Sequence, residues 1–235
     1  MTRKYLSFDI ETAKVLPEKV GDLHEHRPLG ICCAATLTED DGHKLWFGKS
    51  SDGSKSPQMN RDELAELIRY LMTSVESGYH ILTWNGLGFD FDILAEESGL
   101  FEECKVLARQ HVDMMFQIFC ERGFPLGLDS ASRGMNLKGK SDDVKAHMAP
   151  QLWKDGRHDE VLEYVSQDVT CALELARACE REKQLRWVNQ KGKVSDHALR
   201  SGWLTVEKAL QKPEPDTSWM DRPMTRSRFT RWLDD

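Results

Sequence analysis

A strand that opens on apolar residues and then carries two acids on one face constrains this chain more than any other feature. In LSFDIETAK, residues 6–14, Asp9 and Glu11 stand two positions apart. Side chains two apart on a strand point to the same face. Two carboxylates held side by side repel each other, so they suit a solvated strand end or a place where a cation sits between them.

The 235 residues suffice for one domain with extensions, or at most two small ones, and for a buried core. The net charge of −7 argues against non-specific nucleic-acid binding by overall charge. It leaves room for a local site where metal ions join acids to phosphates. No stretch approaches ~20 consecutive apolar residues, so no membrane partner is expected. The opening MTRKYLSFDIE has neither the apolar run nor the cleavage site of a signal peptide, and a cytoplasmic location is expected. The six cysteines, at 32, 33, 104, 120, 171 and 179, form no Cys-x-x-Cys pair, which speaks against a disulfide framework or a zinc site. His24-Glu25-His26 has no further ligands at a suitable spacing and reads as a solvated loop.

Periodicity predicts strands over 4–10, 29–37, 43–48 and 79–84, the second and third joined at EDDG as a hairpin. A helix follows Asn60, with Glu63 as its capping-box partner and Leu64, Leu67, Ile68, Leu71 and Val75 on one face. Further helices are expected over 88–98, near 112–121 and near 128–135. A long one is expected over 157–183, its inner side formed by Val161, Leu162, Val165, Val169, Ala172, Leu173 and Ala176. Residues 184–208 show no decisive period. From QKPEPDTSW onward the composition suggests a tail or linker, so the expected division is a domain over 1–205 and a C-terminal tail or extension over 206–235. Strand, strand, strand, helix, strand, helix is a mixed α/β order.

Three acidic stretches, far apart in sequence, could be gathered by such a fold. Asp9 and Glu11 share a strand face. Asp90, in TWNGLGFDFDIL, follows a strand and opens a helix. Tyr164 and Asp168, in EYVSQDV, stand at i and i+4 on one helix face. Asp92 competes with Asp90, but two residues along a helix turn through about 200°, so both cannot face one metal. Phosphoryl transfer by two divalent ions needs several carboxylate oxygens around ions about 3.5–4 Å apart. Mg²⁺ and Mn²⁺, which prefer oxygen ligands, fit. A phenol, with an ordinary pKa near ~10, would orient the attacking water rather than deprotonate it.

FDIET (8–12), NGLGFD (85–90) and YVSQD (164–168) resemble the three motifs of DEDD-superfamily exonucleases. The Tyr-x-x-x-Asp form marks the DEDDy branch. The second motif is most similar to that of the proofreading 3′→5′ exonuclease domain of family B DNA polymerases. HVDMM and LDSASRGMNLKGK look like that family's connecting region, and the likeness covers roughly residues 3–180. It implies a ribonuclease H-like mixed sheet flanked by helices. It also implies roles: Asp9, Glu11 and Asp168 ligating the tighter ion, Asp9 bridging to a second, and Asp90, selected over Asp92 by its spacing from Asn85, acting mostly through water. Tyr164 would orient the nucleophile, and Asn85 and Thr12 would lie at the substrate strand. Phe89 would pack.

The implied activity is removal of nucleotides from the 3′ end of single-stranded DNA, with release of nucleoside 5′-monophosphates. The chain ends soon after the third motif, so a stand-alone enzyme rather than one proofreading in cis is expected. The alternatives are an exoribonuclease, since the motifs do not read the sugar, and a non-catalytic nucleic-acid-binding module. A third is a protein-interaction adaptor acting through the tail.

Two further stretches invite functional readings. GMNLKGKS (134–141) satisfies the P-loop pattern, but a P-loop needs a buried strand before it, and GLDSASR is not one. A solvated loop is expected there, with Lys138 or Lys140 as candidates for touching a substrate phosphate. RPMTRSRFTRW (222–232) joins four arginines to two aromatics. It reads as an unstructured or partner-docking tail, or as a grip on nucleic acid.

Overall fold

The computed structural model describes residues 3–17, 23–139 and 146–234. Strand β1 (Lys4–Thr12) lies at the centre of a five-stranded sheet. On one side β2 (Ile31–Thr38) and β3 (Gly42–Phe47) continue it antiparallel. On the other, β4 (Tyr79–Thr83) and the two-residue β5 (Val112–Asp113) continue it parallel. The sheet is therefore mixed and flanked by helices, as expected. Every residue of β2 is buried, because both faces of the sheet are covered.

Helix α1 (Arg61–Glu76) starts where expected. The Glu63 amide donates to Asn60 Oδ1 at 3.0 Å, and the Asn60 amide donates to Glu63 Oε2 at 2.8 Å. Its Leu64, Leu67, Ile68 and Leu71 are buried in one core layer with Leu6, Phe8 and Ile10 of β1. Helix α2 (Asp90–Ser98) joins that layer through Phe91, Ile93 and Leu94. Three further helices follow: α3 (Phe101–Gln110), α4 (Met114–Arg122) and α5 (Leu128–Gly134). After α6 (Ala149–Lys154) comes the long α7 (His158–Glu182). All seven residues of its expected inner side are buried, in the opposite layer with Tyr5, Cys33, Ala35 and Leu37. The two faces of β1 thus belong to two layers, and Asp9 and Glu11 follow Tyr5 onto the α7 side.

Three segments depart from the expectations. Helix α3 blurs its own period, because Phe101 and Val106 are exposed while Cys104, Leu107 and Ala108 are buried. Residues 184–208 begin with a hairpin, β6 (Gln184–Val188) against β7 (Val194–Ala198). Its second strand carries no buried apolar residue and so gives no signal. The segment after 205 is not an unstructured tail. Val206 and Ala209 of α8 (Val206–Leu210), and Phe229, Trp232 and Leu233 around α9 (Ser227–Thr230), are buried in the layer that holds Leu6 and Phe8. Arg226 donates to the carbonyls of Leu210, Pro213 and Cys120. The Pro- and Asp-rich composition concealed a short apolar face, and the two aromatics of RFTRW are core residues that cannot stack on bases.

GMNLKGKS is not preceded by a strand. Gly134 ends α5, and a Cβ there would come within 2.3–2.4 Å of the Trp187 backbone and the Arg186 carbonyl, so packing against β6 requires the glycine. Lys140 and Ser141 lie outside the described residues. All six cysteines are buried and none is in a disulfide. Among the described residues, no helix is long and apolar enough to cross a membrane.

The Phe229 ring centroid lies 4.7 Å from that of Phe119, tilted against it, and 5.6 Å from that of Phe116, edge-on. Phe229→Ala is expected to lower stability by about 3–5 kcal/mol in urea unfolding. An unchanged midpoint would mean that the C-terminal segment is not part of the core.

Candidate active site

Pairing between β1 and β4 covers Lys4–Ser7 with Tyr79–Leu82 and stops there. Beyond Ser7 the edge of β1 toward β4 is open. Asp90, the first residue of α2, closes it: the Ile10 amide donates to Asp90 Oδ1 at 3.0 Å. On the other edge Glu11 pairs with Cys33 but Thr12 pairs with Ile31, a bulge that leaves Cys32 as the extra residue. The Cys32 thiol donates to the Glu11 and Thr12 carbonyls at 3.4 and 3.3 Å. The end of β1 is thereby held on both edges.

Helix α7 crosses the face that carries Asp9 and Glu11. Tyr5 Oη donates to Glu180 Oε1 at 2.6 Å, and His43 Nε2 meets Thr170 Oγ1 at 2.9 Å, so two strands tie down the helix. As a result, one carboxylate oxygen from each of Asp9, Glu11 and Asp168 lies within 4.8 Å of the other two. Glu11 and Asp168 are buried and Asp9 is half-buried. Tyr164, one helical turn before Asp168, is buried on the same face. Three carboxylates this close, two of them shielded from water, repel strongly unless positive charge lies among them. The donors are all hard oxygens, which suits Mg²⁺ or Mn²⁺. Cys33 beside them contributes no soft ligand. Burial pushes its thiol well up, and Cys32 and the Glu11 and Asp9 carboxylates push in the same direction.

Asp92 faces elsewhere. Arg27 binds it through both terminal nitrogens, one at 2.9 Å, and also reaches Glu96 at 3.4 Å. Asp90 is turned to β1, although it is not among the three clustered acids. Thr12 ends β1, half-buried, and Phe89 packs against the α1 layer.

Asn85 occupies a left-handed conformation, φ 73°, which is uncommon for a residue with a side chain. Its surroundings hold it there. Asp113 Oδ1 accepts from the Asn85 amide at 3.0 Å, and Oδ2 from the Leu87 amide at 2.9 Å. Thr83 Oγ1 accepts from the Gly86 amide at 3.1 Å. His111 completes the chain: Nδ1 lies 2.7 Å from the Ala108 carbonyl and Nε2 lies 3.1 Å from Thr83 Oγ1. With Nδ1–H donating to the carbonyl, Nε2 accepts from the threonine hydroxyl. Asn85 Oδ1 is buried with no hydrogen-bond partner among the described residues. His111 and Asp113 were missed as residues that hold the Asn85 loop, and Arg27 as the partner of Asp92. HVDMM could have indicated Asp113, since an acid that ends a short apolar strand and caps a helix is a plausible amide acceptor.

The chain matches a family model of the RNase_H superfamily over residues 36–179, more than half its length. Among solved structures, it is similar to the family B DNA polymerase from the hyperthermophilic archaeon Pyrobaculum calidifontis, with a TM-score of 0.54 and 16% identity. That likeness covers 77% of this chain and 25% of the polymerase chain, and at such identity it is a likeness of fold. No curated protein sequence matches.

Burial lowers the His111 pKa to about 3, and it raises that of Asp113 to about 6 against the pull of four backbone amides. An unfolded histidine protonates near ~6.5, so the His111 contribution is complete above that pH and is lost as pH falls. Asp113 runs the other way, adding stability as pH falls from about 6 toward ~4. Comparison with His111→Gln cancels the Asp113 part. Between pH 7 and 5 wild type is expected to lose about 2 kcal/mol relative to the variant in urea unfolding. Parallel pH profiles would contradict a buried neutral imidazole.

Proposed function

Because the chain belongs to the RNase_H superfamily, we propose that it is a nuclease, and specifically a metal-dependent 3′→5′ exonuclease of the DEDDy kind. It shortens single-stranded DNA from the 3′ end and releases nucleoside 5′-monophosphates. One observation carries the reading: oxygens of Asp9, Glu11 and Asp168, delivered by a central strand and a crossing helix, lie within 4.8 Å of each other. The order of the three motifs and the mixed sheet support it.

In this reading residues 1–205 are the catalytic domain and 206–235 an extension of it. Asp9, Glu11 and Asp168 would hold Mg²⁺ or Mn²⁺, and Asp90, at the open edge of β1, would support the metal site. The ions, when bound, supply positive charge at the scissile phosphate and an activated water. Tyr164 orients the attacking water by a hydrogen bond. Asp90 fixes the strand end by taking the Ile10 amide, so the acids on either side of Ile10 keep their spacing. Asn85 and Thr12 meet the terminal nucleotide.

The test uses DNA and RNA strands of equal sequence, labelled at the 5′ end, with Mg²⁺, Mn²⁺ or EDTA. A shortening ladder that needs metal is expected on DNA and is expected to vanish in Asp9→Ala. Tyr164→Phe is expected to slow it by about 10–100-fold, the scale of a misplaced reactant. A stronger ladder on RNA would make the enzyme an exoribonuclease. Early release of the labelled nucleotide would reverse the polarity. Binding without any ladder would leave a nucleic-acid-binding module.

A further inference from the structure

We infer that the C-terminal segment is a positioning element for the Asn85–Phe89 loop, with Trp232 as its key residue, so that substrate affinity depends on a part of the chain beyond the family-matched residues 36–179. The inference rests on the exonuclease reading for its substrate and on contacts alone for its mechanics.

The loop amides of Asn85, Gly86 and Leu87 are all taken from the sheet side, by Asp113 and Thr83. Of its carbonyls, those of Gly86 and Phe89 accept from the α2 amides of Phe91 and Ile93, at 2.9 and 3.0 Å, and that of Leu87 is held from the C-terminal segment. The Trp232 indole N–H donates to the Leu87 carbonyl at 2.8 Å, and this bond is buried. The Leu87 residue is therefore gripped at both polar ends, by Asp113 at its nitrogen and by Trp232 at its oxygen. The next residue is gripped by shape. A Cβ on Gly88 would lie 2.7 Å from a ring carbon of Phe229 and 3.0 Å from Asn85 Oδ1. Phe229 in turn is wedged against Phe116 and Phe119 of α4, the helix that Asp113 caps. Strand end, helix cap and C-terminal segment thus close around one short loop that carries a left-handed asparagine.

A non-glycine residue at positive φ persists only where its neighbours over-determine it. Remove one side of the grip and the loop visits other conformations. If the binding-competent form falls to about a tenth of the population, apparent affinity falls about tenfold, while the bound complex reacts as before. Trp232 bonds to the loop and not to the clustered acids, and in the bound form, with the loop in place, Asp90 still takes the Ile10 amide between the two strand acids.

The test compares wild type with Trp232→Phe, which keeps an aromatic ring but loses the indole donor. Trp203→Phe is the structural control. It loses a buried indole bond to the Ala176 carbonyl, 3.3 Å long, on the other face of the sheet. Hydrogen exchange of peptides spanning residues 84–90 needs no enzymatic activity. Trp232→Phe is expected to speed that exchange about tenfold, and Trp203→Phe to leave it unchanged. On single-stranded DNA, Trp232→Phe is expected to raise KM about tenfold at unchanged kcat, and Trp203→Phe to change neither. Phe229→Leu, which loosens the contact over Gly88, is a second variant expected to act in the same direction should Trp232→Phe not fold. Unchanged exchange at 84–90 overturns the inference. Faster exchange with unaltered KM overturns its substrate half. An inactive wild type overturns the exonuclease reading instead, and exchange alone then decides whether the segment holds the loop.

Discussion

Repulsion among Asp9, Glu11 and Asp168 is the constraint around which this molecule is arranged. Like charges within 4.8 Å stay together only if the elements that carry them cannot move apart. Strand β1 cannot, because it sits between β2 and β4 at the centre of the sheet. Helix α7 cannot, because a long apolar side is buried across the same sheet and Tyr5–Glu180 and His43–Thr170 tie it at other points along its length. Packing of the hydrophobic layers thus holds three carboxylates together, an arrangement of hard oxygens that suits a divalent cation.

The second acidic stretch is held by polar bonds as well as by the apolar packing of α2. The loop that leads to Asp90 has its amides assigned to Asp113 and Thr83, with His111 behind the threonine. Asp90 then spends an oxygen on the open edge of β1. The two halves of the site are therefore coupled through one backbone amide, that of Ile10, which stands between the two strand acids.

Much of this was legible in the sequence, for reasons that differ by element. Asp9 and Glu11 could be placed on one face because a strand has a period of two. Tyr164 and Asp168 could be paired because a helix stacks i and i+4. The Asn60–Glu63 capping box needed only its local spacing. What escaped was long-range or quiet. Arg27 reaches Asp92 from across the fold. Asp113 serves amides up to 28 residues away, which no local pattern reports. β7 has no buried apolar residue to betray it, and the C-terminal segment hid Phe229, Trp232 and Leu233 among prolines and charges.

The central claim is that three carboxylates from two elements hold divalent cations. Titration of Mn²⁺ followed by electron paramagnetic resonance tests it without any substrate. The account expects the free-ion signal to fall as wild type takes up the ion, and to persist in Asp9→Asn and in Asp168→Asn although both variants stay folded. Uptake that is equal in wild type and in both variants would place the metal elsewhere and contradict the account.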